Sequence, residues 1–139
     1  MLNVTSLERQ HHDIANIMEG IKDHLNKNVQ IEDTFHIAMQ INMLAGKLKI
    51  HLNTEDEHMY PLLLADGDKE IKEMAKLYMD EMGYINEEFA KYKNSFNTKS
   101  KIEKNVENFK AETKRIFEIL ENRVLKEETE LYPAIKIKK

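Results

Sequence analysis

The stretch HLNTEDEHMYP, residues 51–61, places two histidines and a carboxylate at helical spacing. His51, Glu55 and His58 follow one another at intervals of four and three residues, which is the spacing of side chains on one face of a helix. Imidazole nitrogens and carboxylate oxygens on one face can bind a single metal ion such as iron, zinc or manganese. The H-x-x-x-E spacing alone is a weak signal, so other elements must supply the remaining ligands.

An internal repeat relates this stretch to a second one half a chain later. EDEHMYP and EETELYP share a first glutamate, a tyrosine and a proline at identical offsets. Such a repeat indicates two helix pairs related by an approximate two-fold axis. We therefore expect the carboxylates of Glu55 and Glu127 to meet near that axis.

Four amphipathic segments must position these residues. Their apolar stripes, with intervals of three and four residues, run from Leu7 to Leu25, Ile37 to His58, Ile71 to Phe96 and Val106 to Glu130. Short polar connections between long helices favour antiparallel neighbours. The sequence thus predicts an all-α protein, an up-down-up-down antiparallel four-helix bundle that forms one domain over residues 1–139, with a helix break at Pro61.

Composition excludes several function classes. The chain has 139 residues, no cysteine and a formal net charge of −4 with both signs mixed along its length. Without cysteine it has no disulfides or thiolate ligands, and without a basic patch it has no electrostatic footprint for nucleic acid or an anionic membrane. We expect a cytoplasmic protein, since the first residues turn polar too early for a secretory signal.

The predicted bundle brings further residues to the depth of His51. The start of the first helix and the end of the second lie at the same end of an antiparallel bundle, so His11 can share a layer with His51 and Glu55. Arg123 lies at the equivalent depth on the fourth helix, and Met82 is the nearest stripe residue on the third.

On these residues the chain resembles the hemerythrin-like cation-binding domains, four-helix bundles that hold a non-haem di-iron centre. The resemblance covers nearly the whole chain and rests on RQHHDI, HLNTEDEHMYPLL, EMGYI and RVLKEETELYP. It implies that His11 is the first-helix ligand and that His51 and Glu55 are the second-helix histidine and bridging carboxylate. It implies also that Glu127 is the second bridging carboxylate.

Two positions depart from the family pattern. Met82 and Arg123 stand where di-iron members place histidines of the third and fourth helices. A guanidinium can compensate two buried carboxylates, so we expect Arg123 to fork toward Glu55 and Glu127 in place of a second ion. The resulting hypothesis is a halved centre with one metal ion, iron by the resemblance.

Other polar residues near the cluster have secondary roles in this interpretation. We expect His58 to contact Glu130 over the site or to bind nothing, with a further ligand role as the alternative. His12 is expected behind the ligands or at the surface. Tyr84 could line the pocket with its phenol, although core packing is favoured, and the tyrosines before Pro61 and Pro133 are expected to pack the helix ends.

Two functional interpretations stay open. By the resemblance, the protein binds one or two iron ions, with zinc or manganese as substitutes, and through them dioxygen, nitric oxide or a small anion as a carrier or a sensor of redox or iron status. Alternatively, it binds no metal, and the bundle is an interaction or regulatory module in which Arg123 neutralises the carboxylates. An enzyme ranks third, since no nucleophile–base pair or phosphate loop occurs, although an iron site of two histidines and a carboxylate can activate oxygen.

Overall fold

The computed structural model describes residues 4–27, 29, 31–66 and 68–137, and these residues are helical apart from short connections, with no strand among them. This confirms the predicted all-α bundle. None of the helices in these ranges is both long and apolar enough to cross a membrane. In chain order the helices are α1 (Val4–Asn26), α2 (Ile31–Thr54), α3 (Tyr60–Asp66), α4 (Lys69–Phe96), α5 (Lys99–Lys104), α6 (Val106–Lys126) and α7 (Tyr132–Ile137).

Two π-helical turns join consecutive helices into longer rods. Glu55–Met59 connects α2 to α3, and Glu127–Leu131 connects α6 to α7. The break expected at Pro61 is therefore absent, because α3 continues through it. Pro61 and Pro133 each follow a π-turn, where the wider turn accommodates a ring that has no N–H to donate.

Contacts between neighbouring helices follow the antiparallel pattern. Gln10 on α1 donates to Thr54 at the end of α2 over 3.2 Å, whereas the other end of α1 meets the start of α2. On the second pair, the hydroxyl of Tyr78 donates to the carbonyl of Lys126 over 3.2 Å. The up-down-up-down order of the whole bundle stays a prediction.

A polar layer divides the core into two apolar clusters. The two clusters lie on opposite sides of the layer. Leu7 and Ile14, one from each cluster, flank His11 on α1, and Leu48 and Met59 flank His51 on the first rod. The layer consists of buried residues that carry polar or charged groups, which are His11, His51, Glu55, Arg123 and Glu127. Charged groups buried in this way need partners or a metal ion.

The π-turns displace the buried stripe by one position. The sequence predicted that the stripe would continue to His58 and Glu130, but the structure buries Met59 and Leu131 and exposes both polar residues. A π-turn holds one more residue per turn than an α-helix, so the inward position moves from the third to the fourth residue after each glutamate.

Candidate metal centre

Four side chains from four different segments converge in the polar layer. His11 comes from α1, His51 from α2, and Glu55 and Glu127 open the two π-turns. One nitrogen or oxygen atom of each lies within 4.8 Å of the others. All four are nearly inaccessible to solvent, and Glu55 is 0% exposed. The structure thus brings together the residues that the sequence singled out as metal ligands.

The distances between these atoms match the distances between neighbouring ligand atoms of one metal ion. His11 Nε2 lies 3.0 Å from His51 Nε2 and 2.9 Å from Glu127 Oε1, and His51 Nε2 lies 3.2 Å from Glu55 Oε2. Adjacent ligand atoms around an octahedral ion with bonds of about 2.1 Å lie about 3.0 Å apart. Two imidazole nitrogens this close cannot both carry a proton, whereas both can bind one cation.

Each histidine is oriented by a hydrogen bond on its outer nitrogen. His11 Nδ1 lies 3.1 Å from Glu128 Oε1, and His51 Nδ1 lies 2.8 Å from the amide oxygen of Gln10. Because both oxygens only accept, Nδ1 donates in each pair, and Nε2 is the ring nitrogen that faces the cluster and can bind a cation once it carries no proton. Metal-bound histidines in proteins are held in the same manner.

Sequence reasoning missed Gln10 and Glu128. Each is adjacent in the chain to a cluster residue, and adjacency is the sole signal that the sequence offers, since solvent-exposed polar residues occupy such positions equally well.

Tyr132 links the two carboxylates. Its hydroxyl donates to Glu55 Oε2 over 2.9 Å and lies 3.1 Å from Glu127 Oε1. The sequence placed this tyrosine at a helix end as packing, but the π-turn directs it inward. The repeated Tyr-Pro pair was the signal, because Tyr60 occupies the equivalent position in the first half and is also buried.

One carboxylate oxygen in the cluster lacks a partner. Glu55 Oε1 is buried and accepts no hydrogen bond from the part of the chain that the structure describes. A buried acceptor without a partner costs about 1–3 kcal/mol, and such groups in native proteins call for an ion or another explanation. Together with the two imidazoles, whose inner nitrogens can bind a metal ion in place of a proton, this oxygen makes the cluster fit a divalent cation.

Arg123 is fixed by contacts on every side. Its Nε donates to Glu127 Oε2 over 2.8 Å, its Nη1 to the carbonyl of Tyr78 and to Glu81, and its Nη2 to the hydroxyl of Tyr60. The guanidinium also lies 4.6 Å from the centre of the Tyr78 ring. The expected fork toward both carboxylates is wrong: Arg123 binds Glu127, while its remaining donors reach α4 and Tyr60.

The electrostatic environment shifts the pKa values of the two carboxylates in opposite directions. Burial raises the pKa of Glu55, and the nearby charge of Glu127 adds to this effect. Burial acts on Glu127 in the same direction, but hydrogen bonds with His11 and His51 and the charge of Arg123 hold its pKa well below the usual range. Glu127 is thus the compensated anion, whereas Glu55 is the carboxylate whose charge calls for a cation.

A pH dependence of metal uptake follows from His51. Burial opposes its protonation, yet hydrogen bonds to Glu127 and Glu55 raise its pKa from 6.5 to about 9. A metal ion must displace that proton, so we expect the apparent metal affinity to rise with pH by up to about tenfold per unit and to level off near pH 9. Competition with a chromophoric chelator at several pH values measures this, and a pH-independent affinity would contradict it.

In the metal-free protein, the raised pKa of His51 makes stability fall as pH rises, opposite to the trend of the metal affinity. Because the folded pKa of His51 exceeds its ordinary value of 6.5, the stabilisation from its ion pairs is complete below pH 6.5 and is lost as pH rises through about 9.

The remaining predicted site residues lie away from the cluster. His58 is 63% exposed and has Glu57 as its nearest carboxylate, at 3.8 Å. Glu130 instead accepts from the hydroxyl of Tyr78 over 2.7 Å. The predicted contact of His58 with Glu130, and the alternative ligand role of His58, are therefore wrong, because the π-turn rotates both residues outward.

Three further candidate residues also lie outside the cluster. Tyr84 is 56% exposed and neither lines the cluster nor packs in the core. His12 is exposed, which was one of its two expected places. Met82 is buried among the apolar residues of the larger core cluster.

Helical bundles build metal sites in their cores from histidines and carboxylates on facing helices. This chain has two histidines and two carboxylates in one buried layer, which places it in that class of protein. The comparison with protein families agrees, since residues 2–135 match the Hemerythrin HHE cation binding domain, and the chain belongs to that family. Neither the curated proteins nor the solved structures gave a match.

Proposed function

We propose that the chain binds a single non-haem iron ion through His11, His51, Glu55 and Glu127, and that this centre binds or senses a small diatomic molecule or anion. The observation that carries the proposal is the convergence of one ligand atom from each of these four buried residues within 4.8 Å, where Glu55 also has a buried oxygen without a partner among the described residues. Imidazole and carboxylate ligands suit iron, with zinc and manganese as substitutes. When bound, ferrous iron supplies open coordination positions and a redox couple.

Arg123 is the reason for one ion instead of two. Its Nε donates to Glu127 Oε2 over 2.8 Å, so a fixed cation already neutralises this oxygen. Met82, which lies on α4, offers a soft thioether that binds iron poorly. The chain's own positive charge therefore replaces the second ion.

The protein's residues tune this centre without reacting. Gln10 and Glu128 hold the two imidazole rings in place, and Tyr132 donates to Glu55 from a hydroxyl whose pKa is raised by burial and by both carboxylates. A hydroxyl that stays protonated is a permanent donor. We propose binding and not turnover, in the cytoplasm, where a reducing medium keeps iron ferrous.

Nitric oxide tests for an open position on the iron. Ferrous-loaded protein treated with nitric oxide under anaerobic conditions should give an EPR signal from the iron, and His51→Ala should lose it together with the metal. His58→Ala is the matched control, since it removes an exposed histidine of the same rod. Loaded protein that gives no signal would contradict an open position while leaving metal binding intact.

A metal-free interaction module is the second candidate. It is favoured by the near-complete hydrogen bonding of the layer, in which Glu127 has partners on both oxygens and Arg123 on all three nitrogens. For such a protein, a chelator would leave the melting temperature unchanged after iron treatment. The iron-binding protein should instead lose the stabilisation that the metal supplies.

A further inference from the structure

The outer face of α2 carries an apolar stripe that faces away from the core. Phe35 is 62% exposed, Met39 46%, Met43 53% and Ile50 56%. With Gly46 they form a continuous series at intervals of four, four, three and four residues, and we call this series the outer stripe. Because the opposite face of α2 is buried in the core, the helix is apolar on two sides, as a helix packed between two partners would be.

No contact among the described residues explains the glycine at position 46. A glycine inside a helix costs about 1 kcal/mol relative to alanine, and a Cβ at this position would meet nothing within 4 Å. At Gly20, by contrast, a Cβ would meet Gln40 Nε2 at 2.5 Å. Gly83 is as open as Gly46 but belongs to no comparable stripe. A glycine in an exposed apolar stripe allows the backbone of another helix to approach closely.

The outer stripe is self-complementary under a two-fold rotation. If a second copy of α2 runs antiparallel about a point beside Met43, Phe35 faces the position of Ile50 and Met39 faces the notch at Gly46. Met43 then meets its own copy. Each large side chain of one helix is thus opposite a partner of suitable size, as an interface between identical surfaces requires.

Charges along α2 also favour antiparallel pairing. The helix begins with the exposed acidic Glu32 and carries the exposed Lys47 and Lys49 in its second half. None of these three forms an ion pair within the described ranges. Antiparallel pairing brings the acidic end of one copy to the basic half of the other, whereas parallel pairing would place like charges together.

We propose that the outer stripe of α2 is the interface of a two-fold homodimer in which α2 packs antiparallel against α2 of a second copy. The stripe spans 16 residues, or about 24 Å of helix. One helix per copy buries less than the roughly 1,600 Å² of a standard interface. The dimer is therefore reversible and dissociates on dilution.

Single cysteines report the geometry, because the chain has none of its own. Met43→Cys should form a disulfide-linked dimer under mild oxidation. Phe35→Cys alone should not, since its two copies lie about 22 Å apart in the antiparallel arrangement. A mixture of Phe35→Cys with Ile50→Cys should cross-link. A dimer from Phe35→Cys alone, or none from Met43→Cys, would overturn the proposal.

Sedimentation of the full chain at several concentrations, with or without iron, measures how strongly the two copies associate. The wild-type mass should rise from one chain toward two with concentration, and Met43→Lys should remain a monomer with unchanged helicity. Leu77→Lys is the control, since this residue is 69% exposed on α4 and off the stripe. A wild-type monomer at every concentration would overturn the proposal and assign the stripe to a different partner.

A charge exchange tests the direction of pairing. Glu32→Lys should weaken the dimer several-fold, and adding Lys49→Glu should restore it. If the double variant is no tighter than Glu32→Lys alone, the antiparallel assignment is wrong.

Discussion

Replacing Arg123 with methionine should lower the free energy of unfolding of the metal-free protein by about 3–5 kcal/mol. The substitution leaves Glu127 Oε2 buried without its cation, and breaking a buried ion pair by removing one partner typically costs this much. The carbonyl of Tyr78 and the hydroxyl of Tyr60 lose donors as well. Urea denaturation, followed by circular dichroism after chelator treatment, measures the change.

Two further variants separate the charge from the packing. Arg123→Met with Glu127→Gln should recover part of the loss, since the amide removes the uncompensated charge. Arg115→Met should cost less than about 1 kcal/mol, because Arg115 is 43% exposed and its ion pairs with Glu88 and Glu112 are screened by solvent. Equal small losses at Arg123 and Arg115 would mean that the buried cation does not stabilise the layer.

Replacing Glu55 with glutamine should abolish stabilisation by metal while changing the metal-free protein little. At free ferrous iron about 100-fold above the dissociation constant, the wild type should gain about 2.7 kcal/mol. Glu55→Gln lacks the anionic oxygen that has no other partner, so it should gain nothing. Burial raises the pKa of Glu55, which means that its charge costs stability without a cation and that a neutral amide removes that cost.

Thermal melts with and without ferrous iron under anaerobic conditions measure this difference. His58→Ala, on the same rod but outside the cluster, should keep the full gain. A Glu55→Gln protein that iron still stabilises as strongly as the wild type would show that the ion binds elsewhere.

Spacing and the internal repeat were sufficient to predict much of the architecture. Apolar residues at intervals of three and four gave the helices. The repeat around Glu55 and Glu127 placed both carboxylates in one layer, where the structure has them. Antiparallel packing of the first two helices placed His11 in the same layer, and the resemblance to hemerythrin-like domains assigned it a role as a ligand. These features depend on periodicity, which a sequence records directly.

The two π-turns were not predictable, and the errors at the site follow from them. A π-turn forms where buried side chains, and not local propensity, decide the backbone, and such turns occur often at functional sites. The additional residue moved His58 and Glu130 to the surface and brought Tyr132 onto the carboxylates. The sequence also could not predict the partners of Arg123 on α4, because these contacts depend on the rotation of one helix against another.

The content of iron per chain tests the central claim most directly. Protein purified without chelator or affinity metal and reconstituted anaerobically with ferrous iron should retain about one equivalent by mass spectrometry. His51→Ala and Glu55→Gln should retain none, and His58→Ala should match the wild type. Iron no higher than in the His51→Ala protein would contradict the claim and leave a bundle whose layer is neutralised by Arg123 alone.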